Sequence, residues 1–251
     1  MRNIYDEVYM ETTNDWYWNM ILMIDRSGSM GLIANNSCKK TGTVNRFVDS
    51  FLSELIDFTP EYNIITEVRI LAFNESAEWM VGSKEGGKSL QTAYKQWEEV
   101  FPSINPCGSA NTAKAINKVI EALTIDRNKI SEKKTGKYTV PPAILLFSDG
   151  TSSEPAEKTL PAIERMCQIW SRRTIRIFVT PDPYNDQDSI VKRFASVGFL
   201  CSENIFRKRS FSFSIDDAST VSPITGKSLA DCLISYLGRN CVGFPDPTEW
   251  K

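Results

Sequence analysis

The stretch Ile21-Leu-Met-Ile-Asp-Arg-Ser-Gly-Ser-Met30 decides the fold class, because an apolar run leads directly into a polar turn. Residues 21–24 have the character of a strand that is buried on both faces. Asp25, Ser27 and Ser29 then place one carboxylate and two hydroxyls at the carboxyl end of that strand. Open α/β sheets bind ligands at this edge, and hard oxygen donors suit Mg²⁺ or Mn²⁺. The stretch therefore predicts an α/β protein with a metal site.

A second apolar run supports a functional role for Asp25. Asp and Ser are common in turns and Gly28 gives its backbone conformational freedom, so the first segment alone could be only a strand-to-helix loop. The run Pro141-Pro-Ala-Ile-Leu-Leu-Phe-Ser-Asp-Gly150, however, is also typical of a buried parallel strand, and it ends in Asp149. Two such strands would bring two carboxylates to the same edge of the sheet.

Helix and strand patterns alternate along the rest of the chain. Apolar residues recur at helical spacing over 44–56, 116–123, 160–170, 190–197 and 229–237, the last ending at Gly238, and further strands are predicted over 68–73, 77–81, 173–180 and 204–207. The chain of 251 residues is long enough to bury a full core. We predict one domain over residues 1–251, with its core at about 15–240. The predicted fold class is α/β: a doubly wound, mostly parallel sheet with one short antiparallel edge strand and helices on both faces.

The segment 82–106 is harder to assign. Its Gly-rich start lacks the spacing of a phosphate-binding loop, so that function is rejected. Nearby aromatic side chains could line a patch for a partner, but burial over the edge of the sheet is the more common role of such residues. These aromatic residues are Trp79, Tyr94, Trp97 and Phe101.

Three motifs together resemble the von Willebrand factor A (VWA) domain. They are Asp25-x-Ser27-x-Ser29, the Gly-containing loop and helix at 108–115, and Ser148-Asp149-Gly150. The resemblance covers roughly residues 15–240. It implies a metal-ion-dependent adhesion site (MIDAS) in which two Ser hydroxyls and a Thr bind the metal, while the Asp residues bind it directly or through water. In that family a carboxylate from a partner usually completes the coordination.

The Thr ligand is the point at which this sequence departs from the family pattern. When the loop is aligned on the helix that follows, the expected Thr falls at Ala110, which has no ligand oxygen. Thr112 or Ser109 would replace it if the loop shifts by one or two residues; otherwise Thr112 or Asn111 would only cap the helix. The candidate metal ligands are therefore Asp25, Ser27, Ser29, Thr112 and Asp149.

The resemblance implies a non-catalytic protein–protein interaction module, in which bound Mg²⁺ or Mn²⁺ binds an Asp or Glu of a protein partner. The chain is similar to cytosolic bacterial TerY-like stand-alone VWA proteins, which implies a stress-response or defence role beside a kinase, a phosphatase or an AAA+ ATPase. One alternative is a metal-free scaffold, because of Ala110. Another is a Mg-dependent haloacid-dehalogenase-like phosphatase, although its motif needs a second Asp where this chain has Ser27.

Composition excludes several classes of protein. The chain has no His, which rules out Ser-His-Asp and Cys-His catalysis and His-ligated zinc. Its 29 basic and 31 acidic residues give a formal charge of −2, so we expect no nucleic-acid partner. The six Cys form no Cys-x-x-Cys pair, and Cys167 and Cys232 are expected to be reduced core thiols. Without an apolar signal core or a run of membrane-spanning length, we expect a cytoplasmic protein with no membrane partner.

Overall fold

A mostly parallel sheet forms the centre of the molecule. The computed structural model describes residues 16–33, 38–58, 64–132, 138–151, 153–169, 174–181, 194, 212–214 and 225–240. The strands in these residues are β1 (Trp16–Asp25), β2 (Ile64–Phe73), β3 (Ala77–Val81), β4 (Lys88–Ser89), β5 (Tyr138–Thr139), β6 (Ala143–Phe147), β7 (Ile175–Thr180) and β8 (Ser212–Ser214). Their order is β3-β2-β1-β6-β7-β8, with β4 paired to β2 and β5 to β1. Only β3 and β4 run antiparallel to their neighbour among these described strands.

Helices cover both faces of the sheet, which confirms the doubly wound α/β fold. They are α1 (Lys40–Phe58), α2 (Leu90–Val100), α3 (Thr112–Glu132), α4 (Ala156–Ile169) and α5 (Gly226–Asn240). One core cluster packs the sheet against α1, α2 and α5, and the other packs it against α3 and α4. None of the helices in the described part of the chain is long and apolar enough to cross a membrane.

The central strand β1 contributes to both cores. Met20 and Leu22 pack in one cluster, Ile21 and Met23 pack in the other, and all four side chains are 0% exposed. Successive side chains of a strand point to opposite faces, so an uninterrupted apolar run is what a strand between two helical layers requires. Each such buried side chain contributes roughly 1.5–3 kcal/mol. The strand that carries Asp25 at its end is therefore firmly anchored.

Several element boundaries differ from the sequence predictions. β1 begins at Trp16 rather than at residue 21. The first half of the strand was not predicted because the polar residue Asn19 interrupts the apolar run, although Asn19 is buried in the structure. Helix α5 ends at Asn240 rather than at Gly238. The predicted helix over 190–197, except for residue 194, and the predicted strand over 204–207 lie outside the described residues.

Helix α2 occupies part of the segment that had no clear sequence pattern. Its buried face consists of Leu90, Ala93 and Trp97 only, which is too few apolar residues for a strong periodic signal. Trp97 is fully buried, and its ring centroid lies 5.3 Å from that of Phe101. Trp79, Tyr94 and Phe101 are partly buried and pack against the two cores. The aromatic residues thus cover the sheet rather than form an exposed patch.

A buried ion pair attaches α3 to β2. The guanidinium of Arg69 donates to both carboxylate oxygens of Asp126, at 2.8 and 2.7 Å, and its Nε donates to the Ser83 carbonyl at 2.9 Å. The Arg69 and Asp126 side chains are 0% and 5% exposed. Bidentate pairing of this kind is the geometry that best compensates two buried charges.

Helix α5 approaches α1 closely at Gly226. A Cβ atom at this position would overlap the Ser50 Oγ, the Phe47 carbonyl oxygen and the Phe51 backbone nitrogen, all of which belong to α1. The absence of a side chain therefore sets the distance between the two helices. Leu229 and Leu233, further along α5, are fully buried in the core cluster that this approach creates.

Candidate functional site

Asp25 ends β1 with both carboxylate oxygens held by the protein. Its Oδ1 accepts a hydrogen bond from the Ser27 backbone N–H at 2.8 Å, and its Oδ2 accepts one from the Ser148 hydroxyl at 2.6 Å. Burial raises the pKa of Asp25, the hydrogen bonds from Ser148 and Ser27 offset part of this, and the nearby charge of Asp149 raises the pKa further. A cation beside this carboxylate would favour its charged form.

Two hydroxyls lie side by side in the turn after β1. The Oγ atoms of Ser27 and Ser29 are 3.1 Å apart. A short 3-10 turn over Gly28–Gly31 brings them together, because it folds the chain back immediately after the strand. Ser27 is buried, whereas Ser29 is partly exposed. The pair thus presents neutral oxygen atoms at the carboxyl edge of the sheet.

Asp149 follows β6, the neighbour of β1, and is paired with Lys40. The Lys40 Nζ lies 2.9 Å from Asp149 Oδ2, and the two side chains are 11% and 1% exposed. Asp149 Oδ1 accepts from the Thr151 backbone N–H at 3.0 Å. Burial raises the pKa of Asp149, but the hydrogen bonds from Lys40, Thr151 and Ser29 outweigh it and bring the pKa below its usual value. Asp149 is therefore ionised at neutral pH.

Sequence reasoning did not single out Lys40, because a buried lysine and an exposed one have the same sequence signal. Lys40 is the first residue of α1, where the positive end of the helix dipole disfavours a cation. A buried lysine at such a position needs an anion close by. The anion is Asp149, 109 residues further along the chain, which no local pattern reveals.

Backbone hydrogen bonds join the loop after β1 to the loop before α3. The Gly28 N–H donates to the Gly108 carbonyl at 2.9 Å, and the Cys107 N–H donates to the Arg26 carbonyl at 2.9 Å. Gly108 has a φ of +68°, a conformation that favours glycine. Asn74, which follows β2, adds a side-chain bond to the Cys107 carbonyl at 3.1 Å. The loop over residues 104–111 is therefore fixed beside Ser27 and Ser29.

The residues around the expected Thr position lie at the margin of this group. Ala110 is 3% exposed and packs in the core with α3 and α4. Thr112 is the first residue of α3 and is 6% exposed; in the described part of the chain no hydrogen bond links it to the other candidate ligands. Ser109 is exposed, with its hydroxyl 3.5 Å from Glu75 Oε1. The residues brought together at the site are Asp25, Ser27, Ser29 and Asp149.

The loop after β6 is hydrogen-bonded to the loop before α3 and to the first turn of α3. Glu154 Oε2 accepts from the Ala113 backbone N–H at 3.0 Å, and the Ser153 hydroxyl donates to the Ala110 carbonyl at 2.9 Å. A carboxylate at the first turn of a helix is favourable because it satisfies a free N–H and complements the helix dipole. Glu154 is a second residue that sequence reasoning missed, and its role is to hold two loops of the site together.

The donor set fits a hard divalent cation. Oxygen ligands about 2.1 Å from Mg²⁺ and at right angles to each other are about 3.0 Å apart, and the Ser27 and Ser29 hydroxyls are 3.1 Å apart. Asp25 and Asp149 supply negative charge, and oxygen-only donors suit Mg²⁺ or Mn²⁺. The described residues contain no group of three or more Cys, Asp or Glu that could hold a metal ion, so the hydroxyls of Ser27 and Ser29 would have to complete the donor set with the two carboxylates.

Fold and site together define an open α/β domain with an oxygen-rich site where the central parallel strands end. Residues 20–151, just over half of the 251-residue chain, match the family model of the von Willebrand factor type A domain. The chain belongs to the VWA family, whose members are generally non-enzymatic interaction modules. No curated protein matches the sequence.

Solved structures of low sequence identity have the same fold. Manganese-loaded TRAP protein from Plasmodium vivax has a TM-score of 0.53 at 13% identity, over 86% of this chain and 72% of that chain. An aerotolerance-related membrane protein from Bacteroides fragilis gives 0.50 at 12%, over 88% and 98%. A von Willebrand factor type A protein from Catenulispora acidiphila gives 0.50 at 11%, over 72% and 37%. These likenesses support the VWA fold and no more.

Proposed function

We propose that this domain is a non-catalytic interaction module that binds a carboxylate of a protein partner through Mg²⁺ or Mn²⁺. The observation that carries the proposal is the pair of Ser hydroxyls 3.1 Å apart beside the buried Asp25 carboxylate. Asp149 adds a second carboxylate from the adjacent strand end. Thr112 is the proposed replacement for the missing Thr, because it is buried at the first residue of α3. The TRAP structure shows that a protein of this fold can be loaded with manganese.

The side chains and loops at the site have distinct roles in this proposal. A bound divalent cation supplies Lewis acidity and open coordination positions for the partner's carboxylate. The hydroxyls of Ser27 and Ser29 bind without cancelling charge, and Ser148 holds Asp25 in its orientation. The loops over 31–41, 104–111 and 151–157 would select the partner.

Exposed apolar side chains beside the site offer a contact surface for that partner. Leu32 and Ile33 are 60% and 72% exposed and follow Ser29 closely in the chain. The Leu32 N–H donates to the Ser29 carbonyl at 3.1 Å, which fixes the start of this apolar segment relative to the site. A partner that places its carboxylate at the metal would therefore bury apolar surface here as well.

Thermal unfolding with Mg²⁺, Mn²⁺ or EDTA tests the metal site. At about ten times the dissociation constant, the metal should stabilise the wild-type protein by roughly 1.4 kcal/mol, which raises Tm by about 3 to 6 °C. Asp25→Ala and Ser29→Ala should abolish the shift, because each removes an oxygen donor. Ser83→Ala is the matched control, since the Ser83 hydroxyl lies after β3 and accepts from the Glu85 N–H at 3.2 Å, and it should keep the full shift. Retention of the shift in Asp25→Ala would contradict the proposal.

Thr112→Val belongs to the same series and tests the proposed Thr ligand. A reduced shift would assign the Thr112 hydroxyl to the metal, and an unchanged shift would remove Thr112 from the set of ligands.

A metal-free scaffold is the second candidate function. Ala110 lacks the expected ligand oxygen, and Lys40 already neutralises Asp149. Under this alternative neither metal would stabilise the wild-type protein. Partner binding would then be insensitive to EDTA, whereas the metal-dependent proposal requires EDTA to abolish it. A pull-down from the native host with and without EDTA distinguishes the two once the thermal result is known.

The same proposal extends to cellular context. Similarity to TerY-like stand-alone VWA proteins supports a cytoplasmic module of a bacterial stress-response or defence system, with a kinase, a phosphatase or an AAA+ ATPase as partner. The single-domain organisation over 1–251 is part of this proposal. We do not propose a haloacid-dehalogenase-like phosphatase, because Ser27 stands where that chemistry needs a proton-transfer carboxylate.

A further inference from the structure

The Lys40 ammonium is a fixed positive charge inside the candidate metal site. Its Nζ lies 2.9 Å from Asp149 Oδ2, and both side chains are almost fully buried. The backbone of Lys40 is also fixed, because its N–H donates to the Leu32 carbonyl at 3.0 Å in the loop that carries Ser29. A buried pair of this kind is screened little by salt, so the charge of Lys40 acts on whatever binds beside Asp149.

The charges around the site have a simple consequence. A bound cation favours the charged form of Asp25, so that Asp25 and Asp149 would together carry two negative charges, and Lys40 cancels one of them. A divalent cation would therefore leave the site with one excess positive charge. One partner carboxylate would restore neutrality. Without Lys40, the cation alone would neutralise the site, and the carboxylate would have less to gain.

We propose that Lys40 couples the two binding events: it weakens metal binding by the domain alone and strengthens the dependence of metal binding on a carboxylate ligand. This inference rests on the metal site proposed above. Lys40 acts through Asp149 and through the charge of the site, so it is a positioning residue and not a metal ligand. The missing ligand oxygen at Ala110 acts in the same direction, because it also weakens binding of the cation alone.

The size of the effect follows from Coulomb's law. A single charge and a double charge about 6 Å apart in a medium close to water repel each other by an amount equivalent to about a tenfold change in dissociation constant. A more buried site would give a larger factor. Removal of the Lys40 charge should therefore tighten Mn²⁺ binding about tenfold or more.

Calorimetric titration with Mn²⁺ at constant ionic strength tests the coupling, in sodium chloride and in sodium acetate. Acetate serves as the probe for a carboxylate ligand. In the wild-type protein we expect weak binding in chloride and clearly tighter binding in acetate. In Lys40→Met we expect about tenfold tighter binding in chloride and a smaller acetate effect. Lys40→Arg should behave as wild type. Lys40→Gln, which keeps a hydrogen-bond donor without the charge, replaces the Met variant if that variant fails to fold.

Lys39→Met is the matched control. It removes one positive charge from the adjacent, exposed residue and should leave Mn²⁺ affinity within about twofold of wild type. The inference would be overturned if both uncharged Lys40 variants bound Mn²⁺ no more tightly than wild type does. The metal site would still stand in that case, provided that wild type binds Mn²⁺ and Asp25→Ala abolishes the binding. If neither the wild-type protein nor any variant binds Mn²⁺ in either salt, the proposed metal site and the inference are both overturned. Binding in Lys40→Met but not in wild type would support both.

Discussion

Asp126→Asn should lower the free energy of unfolding by roughly 3 to 5 kcal/mol, because it leaves the buried guanidinium of Arg69 without its counter-charge. Arg69 is 0% exposed and makes two short bonds to Asp126, so water cannot replace the lost carboxylate. For a domain of this size the expected fall in Tm is about 6 to 20 °C. Chemical denaturation followed by circular dichroism measures the change directly.

Two further variants test whether the unpaired buried charge causes this loss of stability. Glu78→Gln removes the carboxylate of an exposed pair, in which Arg26 Nη2 and Glu78 Oε2 are 3.2 Å apart and Glu78 is 57% exposed, and it should cost less than about 1 kcal/mol. The double variant Arg69→Met/Asp126→Leu should be more stable than Asp126→Asn, since no unpaired charge remains. A double variant less stable than the single one would show that packing around the pair, rather than the buried charge, determines the loss.

Gly226→Ala should destabilise the protein by about 3 kcal/mol, at the upper end of the range for overpacked sites. The added methyl group would overlap the backbone of α1 at Phe47 and Phe51, and backbone atoms cannot move aside as a flexible side chain can. The two helices would have to separate, which would open the core around Leu229. Differential scanning calorimetry of the purified variant gives the change in Tm.

Gly42→Ala provides the comparison within α1. A Cβ at Gly42 would meet nothing within 4 Å. Alanine is a better helix residue than glycine by about 0.5–1 kcal/mol, so this variant should be as stable as wild type or more stable. Equal effects of the two substitutions would contradict the close-contact explanation for Gly226.

The central strands could be predicted from the sequence because each is an apolar run that ends in a candidate metal ligand. β1 and β6 are short apolar segments that end in Asp25 and Asp149, and their parallel pairing brings these two ends together. The edge strand β3 was predicted with its observed bounds. Buried polar residues account for two of the errors: Asn19 interrupts the apolar pattern in the first half of β1, and Thr66 is likewise buried in the part of β2 that was not predicted.

The charge pairing of the site could not be predicted in the same way. Hydrophobic periodicity reports what lies within a few residues, whereas the partners of Lys40 and Arg69 are 109 and 57 residues away. A buried lysine and an exposed one have the same sequence signal. Motif spacing identified the two hydroxyls and the two carboxylates, but it did not reveal that one carboxylate already has a cation beside it.

The hydrogen bonds between the loops of the site make the loop framework independent of the candidate metal ligands. The Gly28–Gly108 and Arg26–Cys107 contacts use only backbone atoms, and they require no oxygen of a candidate ligand side chain. Asn74 and Glu154 add side-chain bonds to the same framework, whereas the hydroxyls of Ser27 and Ser29 are not part of these backbone bonds. The loops therefore keep their arrangement although alanine occupies the expected threonine position at Ala110.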